Sequence, residues 1–251
     1  MTTIVVDLVR AAQDMFEYHD QTMRFTWGGG HPADSGLFKE YERRLGGVFL
    51  QGYSRTEGGI AYNRLTDRRF DMHGYPSRDN SELAILRSQT DEQAARGETG
   101  EIAFRGDGIS PGYWDPARPE LPTATYEWQR TGDVGYARED GALVFVGRLD
   151  DMIKTGGENV FPAEIAAVIL SMPGVSDAAV FSMPDERLGQ CVSALVVSKA
   201  DDLSTEKVEA HCRTSLAGFK IPRRIGIVGS LPRLGTHKVD IGACRRLIQN
   251  Q

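Results

Sequence analysis

The residues best equipped for chemistry sit in short polar segments set between apolar ones. The longest is Gly147-Arg148-Leu149-Asp150-Asp151-Met152-Ile153-Lys154-Thr155-Gly156-Gly157-Glu158-Asn159-Val160-Phe161-Pro162-Ala163-Glu164-Ile165, charged and glycine-bearing, between an apolar strand pattern and an apolar helix pattern. Upstream, Gln51-Gly52-Tyr53-Ser54-Arg55-Thr56-Glu57 ends on a hydroxyl beside a carboxylate. Thr131-Gly132-Asp133 presents a carboxylate with two acceptor oxygens, suited to a pair of hydroxyl donors. Arg148 offers a forked donor set for oxyanions, whereas Lys238 offers a compact charge on a long flexible stem. Taken one at a time, each has an ordinary reading. Glu57 and Lys238 would be surface charges, Asp133 a turn residue and Arg148 half of a surface ion pair. Gly156 and Gly157 would form a plain turn.

The surrounding patterns say what positions these groups. Ile4, Leu8, Ala11, Ala12 and Met15 recur at helical spacing over residues 4–18. Met23–Trp27 alternates as a strand and leaves sharply through Gly28-Gly29-Gly30. Leu37, Phe38, Tyr41 and Leu45 then mark a helix closed by Gly46-Gly47, and Val48-Phe49-Leu50 opens another strand. Strand, helix and strand in that order predict part of a parallel α/β layer over 1–75. Over 76–147 short strands (83–86, 100–104, 132–136, 143–146) are punctuated by Gly and Pro, with Asp140-Gly141 as a hairpin turn. This stretch predicts a small β-barrel, with residues 115–128 as a surface loop. Over 148–251, Pro162 opens a helix, residues 178–181, 191–197 and 224–228 read as strands, and Ser204 caps a helix running to Leu216. The expected class is α/β and α+β multidomain, the last unit being a small α+β domain.

Composition narrows the function classes. A formal net charge of -6 argues against nucleic acid or an anionic membrane as the main partner. The 3 cysteines show no paired spacing, and Cys191 and Cys212 lie in apolar patterns, so they read as core residues. No apolar run approaches the ~20 residues a membrane span needs, and no secretory pattern opens the chain, so a cytoplasmic protein is expected.

The 147–165 segment resembles the hinge-and-loop signature of the adenylate-forming superfamily, which includes acyl-CoA synthetases, peptide-synthetase adenylation domains and luciferases. The other segments resemble that family's motifs in the family's order. They are Gly28-Gly29-Gly30, the aromatic-x-x-Thr-Glu segment from Tyr53 to Glu57, Gly100-Glu101-Ile102, Arg105-Gly106, Gly112-Tyr113-Trp114, Thr131-Gly132-Asp133 and Leu231–Asp240. The resemblance covers about residues 20–248 and implies activation of a carboxylic acid with ATP and transfer of the acyl group to coenzyme A. It implies that Glu57 holds Mg²⁺, that Thr56 contacts a phosphate, and that Asp133 and Arg148 take the ribose or phosphate oxygens of ATP or AMP. Gly28, Gly29, Gly30 and Tyr53 would line the adenine and acyl pocket. Lys238 would bridge carboxylate and α-phosphate, Asp150 would act as a hinge, and Gly156 and Gly157 would line the pantetheine channel. Lys220-Ile221-Pro222 resembles a further motif read as structural. The C-terminal α+β domain would be the family's lid domain.

Two departures qualify the resemblance. His237 stands where a small residue is expected before Lys238. The family's Ser/Thr/Gly-rich phosphate loop has no counterpart, because the glycine-rich stretches here have other neighbours. The expectation is a C-terminal half that lacks the front of the acyl pocket. Three readings follow: one half of a split ligase with a complementing N-terminal polypeptide, an inactive truncated remnant, or a non-catalytic binder of nucleotide or acyl-adenylate. A carrier-protein thiol could replace coenzyme A as acceptor.

Overall fold

The computed structural model describes residues 24–29, 35–67, 71–77, 81–88, 90–117, 120, 127–198, 203–235 and 238–249. The expected helix over 4–18, Gly30, His237 and most of the 115–128 loop lie outside them. The chain divides into two compact units, Met1–Val146 and Gly147–Gln251. It is a mixed α/β chain with several sheets and few helices.

The first unit opens with β1 (Phe25–Gly29), α1 (Ser35–Leu45) and β2 (Val48–Ser54). β1 and β2 pair in parallel, from Phe25 opposite Val48 to Gly29 opposite Gly52, as the strand–helix–strand order predicts. Helix α1 covers one face of this pair. Phe38 stacks on Phe49 with ring centroids 4.4 Å apart, and Tyr41 meets the same ring edge-on at 5.3 Å. β3 (Ile60–Tyr62) and β4 (Tyr75–Pro76) then add antiparallel strands in the order β1-β2-β3-β4.

A second sheet holds β5 (Glu82–Leu86), β6 (Gly100–Arg105), β7 (Gln129–Ala137) and β8 (Leu143–Arg148), bonded in that order, with the last two residues of β8 falling past the boundary of the first unit. Asp140-Gly141 turns β7 into β8, with Gly141 at φ 86°. Among the described residues the pairing runs in the order β5-β6-β7-β8, and closure into the expected small barrel is not shown. Tyr53 and Ala61 of the first sheet share a core with Ile85, Ile102, Phe104 and Leu143 of the second. That shared core seats β2 and β3 against β5, β6 and β8.

The second unit begins with a short hairpin of β9 (Ile153–Thr155) and β10 (Glu158–Val160). Helix α2 (Pro162–Leu170) follows with proline in its first turn, where a missing N–H costs nothing. β11 (Val175–Asp185) and β12 (Gly189–Ser198) form a long antiparallel pair, and β13 (Arg224–Val228) joins β12 in parallel. Helix α3 (Thr205–Arg213) is capped by Ser204, whose hydroxyl accepts the Lys207 N–H, and α4 (Ile241–Gln249) ends the chain's described part.

Alternation along β11 and β12 sends residues to two cores. Val180, Val192, Ala194 and Val196 meet Ile165 and Ile169 of α2 and Val208 and Cys212 of α3. Ala179, Phe181, Cys191 and Leu195 meet Cys244 and Ile248 of α4. Both faces of this sheet are therefore covered by helices of the chain itself. All three cysteines are free and buried, as small core residues. No helix among the described residues is long and apolar enough to cross a membrane.

Candidate functional site

In the first unit the fold joins two segments that lie 80 positions apart. The Tyr53 hydroxyl at the end of β2 donates to Asp133 Oδ2 on β7 at 2.5 Å. Asp133 is seated from its own strand as well. Its N–H bonds Thr131 Oγ1 at 3.0 Å, and the Thr131 hydroxyl donates to the Ile102 carbonyl on β6 at 2.7 Å. Glu101 braces the same bend, accepting the Gly132 N–H at 2.9 Å and Arg130 at 2.8 Å. Tyr53 and Asp133 are each only 8% exposed, so the carboxylate is bonded inward and held in one rotamer. Burial first, and then the bond to Asp133 and its charge, push the Tyr53 phenol well above its ordinary value. Tyr53 therefore stays a donor throughout the neutral range.

Beyond Tyr53 the chain turns at residues 55–58, where the Gly58 N–H reaches the Arg55 carbonyl at 3.3 Å. Thr56 is exposed on this turn. Glu57 Oε1 accepts the Tyr113 hydroxyl at 2.6 Å, and Glu57 Oε2 lies 3.3 Å from the Arg55 guanidinium. The Glu57 carbonyl accepts the Ser110 N–H at 2.6 Å, which ties the turn to the loop carrying Tyr113. The bond to Glu57 and its charge raise the Tyr113 phenol. Sequence reasoning assigned no site role to Arg55, Glu101 or Tyr113. Only the placement of Tyr113 and Glu101 within family-like motifs could have pointed to those two.

A Mg²⁺ ion is commonly held by one or two carboxylates, with substrate phosphates supplying further oxygens. Glu57 fits that sparse donor set. Among the described residues no group of three or more His, Cys, Asp or Glu is arranged to hold a metal. The Tyr113 hydroxyl and the Arg55 guanidinium are among the partners such an ion would displace.

Gly28 and Gly29 close β1 and carry a structural requirement of their own. A Cβ on Gly28 would lie 2.7 Å from the Phe49 ring, and one on Gly29 would lie 2.5 Å from the Gly52 carbonyl oxygen. Both glycines let β1 approach β2, whatever else they do.

In the second unit the polar signature segment is more ordered than a loop. Gly156 and Gly157, at φ 59° and 90°, form the two-residue turn between β9 and β10. Positive φ at both positions is the type I′ hairpin pattern, which glycine accepts without a Cβ clash. The Gly156 N–H bonds the Leu188 carbonyl at 3.1 Å and the Lys154 N–H bonds Gln190 Oε1 at 3.1 Å, holding the hairpin against the β11–β12 turn. Arg148 and Asp150 are exposed just before it. Lys238 is exposed on one limb of a short reversal in which Arg233 bridges Val239 and the Leu234 N–H meets the Lys238 carbonyl at 2.8 Å. Lys220 has a local job: its ammonium sits 2.6 and 2.7 Å from the two oxygens of Glu164 on α2.

The structure thus joins Tyr53 with Asp133, and keeps Thr56 and Glu57 on the adjoining turn. Arg148, Asp150, Gly156, Gly157 and Lys238 belong to the other unit.

Residues 1–114 match the AMP-binding enzyme family and residues 164–238 match the AMP-binding enzyme C-terminal domain. The chain is similar to a long-chain-fatty-acid–CoA ligase of Mycobacterium tuberculosis, 32% identical over 94% of this chain and 47% of that protein. It is also similar to the 2-succinylbenzoate–CoA ligase of Geobacillus kaustophilus, 35% identical over 99% of this chain and 51% of that one. Among solved structures it resembles ATP-bound MatB from Rhodopseudomonas palustris, with TM-score 0.75 and 29% identity over 89% of this chain and 45% of that one. It resembles the O-succinylbenzoate coenzyme A synthetase of Bacillus subtilis in complex with AMP, with TM-score 0.76 and 28% identity over 94% and 48%. The chain spans about half the length of the relatives it matches.

Proposed function

We propose that this chain, which belongs to the adenylate-forming family of AMP-binding enzymes, is the C-terminal half of an ATP-dependent carboxylic acid–CoA ligase that works with a complementing N-terminal portion. The observation that carries the reading is the order of the two family matches along one chain, over residues 1–114 and 164–238, with CoA ligases among the relatives.

In the proposed reaction a carboxylate oxygen attacks the α-phosphorus of ATP and pyrophosphate leaves. A thiol sulfur then attacks the acyl carbonyl, AMP leaves, and the thiol proton passes to solvent. Coenzyme A is the acceptor this reading favours, with a carrier-protein thiol as the other candidate, and the cytoplasm is the expected compartment. Asp133 takes the ribose hydroxyls of the nucleotide, and Arg148 its ribose or phosphate oxygens. The Tyr53 hydroxyl bonds the Asp133 carboxylate and Thr131 Oγ1 accepts the Asp133 N–H, which supports a carboxylate oriented ahead of nucleotide binding. Gly28, Gly29 and Gly30 with Tyr53 shape the adenine and acyl pocket. Thr56 meets a phosphate and Glu57 would hold Mg²⁺, which supplies charge neutralisation on the phosphates when bound. Lys238 offsets the charge that develops between carboxylate and α-phosphate. Asp150 is the hinge, and the Gly156-Gly157 turn admits the thiol arm.

The test runs the two half-reactions separately on the chain combined with a complementing N-terminal half. Lys238→Ala is expected to abolish pyrophosphate release while sparing thioester formation from a supplied acyl-adenylate. Loss of even ~4 kcal/mol in the transition state is about a thousandfold in rate. Equal impairment of both steps, or turnover at ordinary enzyme rates by the chain alone, would overturn the reading.

A further inference from the structure

Arg55 stands within the site of the first unit and has no part in the reaction above. It follows β2 directly, and the alternation of the strand runs on through it. Tyr53 is buried and Arg55 half-buried, while Ser54 and Thr56 are exposed. The Arg55 side chain therefore lies on the side where the Tyr53 hydroxyl meets Asp133. It reaches forward to Glu57, with its guanidinium 3.3 Å from Oε2, while the Tyr113 hydroxyl holds Oε1 at 2.6 Å. Its positive charge is felt at both ends of the site, opposing the rise of the Tyr53 and the Tyr113 phenol. Other arginines of this unit are gripped more closely. Arg87 meets Glu98 at 2.9 and 3.1 Å, and Arg105 meets Glu82 at 3.0 and 2.7 Å.

A divalent cation and this guanidinium cannot share Glu57. Like charges a few Å apart repel, so an ion seated on the carboxylate drives Arg55 off it. With its side chain only 20% exposed, the released guanidinium needs another anion close by. The Asp133 carboxylate is already bonded by Tyr53. A phosphate offers oxygens that match the guanidinium fork. On the ligase reading it arrives between a ribose at Asp133 and a metal at Glu57, which is where Arg55 stands. We propose that Arg55 is a phosphate-binding residue of this site, held on Glu57 until a divalent cation takes its place and then turned to a phosphate oxygen of the nucleotide. This rests on the ligase reading above and adds to it a second cation for the phosphates and a coupling between metal and nucleotide. By linkage, each ligand then strengthens the other.

The test uses the full chain, with Mn²⁺ as the metal probe and AMP as the nucleotide. Mn²⁺ binding is read from the loss of its free paramagnetic signal, and AMP and adenosine binding by calorimetry at saturating Mn²⁺. Arg55→Gln is expected to bind Mn²⁺ at least about threefold more tightly, because a competitor for Glu57 is gone. The same variant is expected to bind AMP at least about tenfold more weakly, because a charge-assisted bond is lost. Adenosine, which has no phosphate, is expected to bind both forms equally. Arg55→Lys keeps the charge without the fork and is expected to fall between them. The opposite signs exclude a merely structural role, since a loosened fold weakens both ligands, and tryptophan emission checks that the first unit stays folded. Weaker binding of both ligands, an unchanged AMP affinity, an equal loss for AMP and adenosine, or no binding of Mn²⁺ or AMP by any form would each overturn the assignment. Pyrophosphate release by the chain combined with a complementing N-terminal half tests the ligase reading separately. Release with an AMP affinity indifferent to Arg55→Gln overturns the Arg55 assignment alone. The expected affinities without any release would sink the ligase reading and leave Arg55 a phosphate-binding residue.

Discussion

Replacing Tyr53 with Phe removes one oxygen and leaves the ring in place between Phe104 and Phe145, where centroid distances are 6.1 and 6.2 Å. What is lost is the 2.5 Å bond to Asp133, whose carboxylate is buried. A hydrogen bond to a charged group contributes ~1.5–3 kcal/mol, so Tyr53→Phe is expected to destabilise the first unit by about that much near neutral pH. The pH dependence separates this bond from packing. Tyr53 has a folded-state value raised above the ordinary tyrosine value of about 10, chiefly by burial. A raised group contributes stability that is fully present below its unfolded value and is lost as pH climbs toward its folded value. Above about pH 10 the unfolded native chain therefore gains by releasing a proton that the folded chain retains, at ~1.4 kcal/mol per pH unit. The Phe variant has no such proton. Its penalty is expected to hold steady to about pH 10 and to shrink by ~1.4 kcal/mol by about pH 11. All three tryptophans, Trp27, Trp114 and Trp128, lie in the first unit, so urea unfolding followed by their emission reports that unit. A penalty that stays flat across this window would refute the claim that Tyr53 is held as a buried donor.

Three further substitutions test local claims. Gly59→Ala puts a methyl group 2.5 Å from the Phe104 ring at φ 79° and is expected to cost ~2–4 kcal/mol in the same urea assay. A loss under about 1 kcal/mol would mean the ring yields easily. Gly157→Ala adds a Cβ that meets no atom within 4 Å, so its cost is expected to be the backbone term alone, ~1–2 kcal/mol at φ 90°, read from helix ellipticity of the second unit. A neutral result there would argue against the type I′ turn. Glu164→Gln removes the charge facing Lys220, and with side chains 39% and 23% exposed the loss is expected to be ~0.5–1 kcal/mol, shrinking at high salt. An unchanged midpoint would show that the pair contributes nothing.

Much of the fold was legible because its signals are local. Ser204 as a cap, Pro162 in a first turn, Asp140-Gly141 as a hairpin and the 224–228 strand each declare themselves within a few residues. The β9–β10 hairpin was read as loop because only Ile153 and Val160, at its two ends, are apolar and buried. The available signal was symmetry, two three-residue runs about a Gly-Gly pair. Helix α4 was passed over although Ile241, Cys244 and Ile248 keep helical spacing and Asp240 Oδ1 accepts the Ala243 N–H at 2.9 Å. Pairings between distant segments could not be read this way. Tyr53 with Asp133 and Glu57 with Tyr113 are separated by 80 and 56 positions. No periodicity carries across such gaps, and only the packing of the two sheets of the first unit brings them together.

That packing also ranks the motif residues as indicators of a ligand. A glycine in a family-like motif is weak evidence when the fold itself demands it, and Gly28 and Gly29 are demanded by Phe49 and Gly52. Asp133 stands between, since its carboxylate already accepts a bond from Tyr53 and its seat is built from Thr131 and Ile102. On the proposed reading its burial would lower the entropy lost in meeting a ribose and raise the desolvation the ribose hydroxyls must offset. Glu57 carries the most weight in this unit. Its contacts with Tyr113 and Arg55 are polar and close to solvent, so exchanging them for a hard cation costs little packing. A buried core carboxylate would need its partners to move with it. On the proposed ligase reading, the solvent-side contacts of Glu57 suit an exchange for metal and phosphates, and the inward-bonded carboxylate of Asp133 suits a fixed contact with the nucleotide.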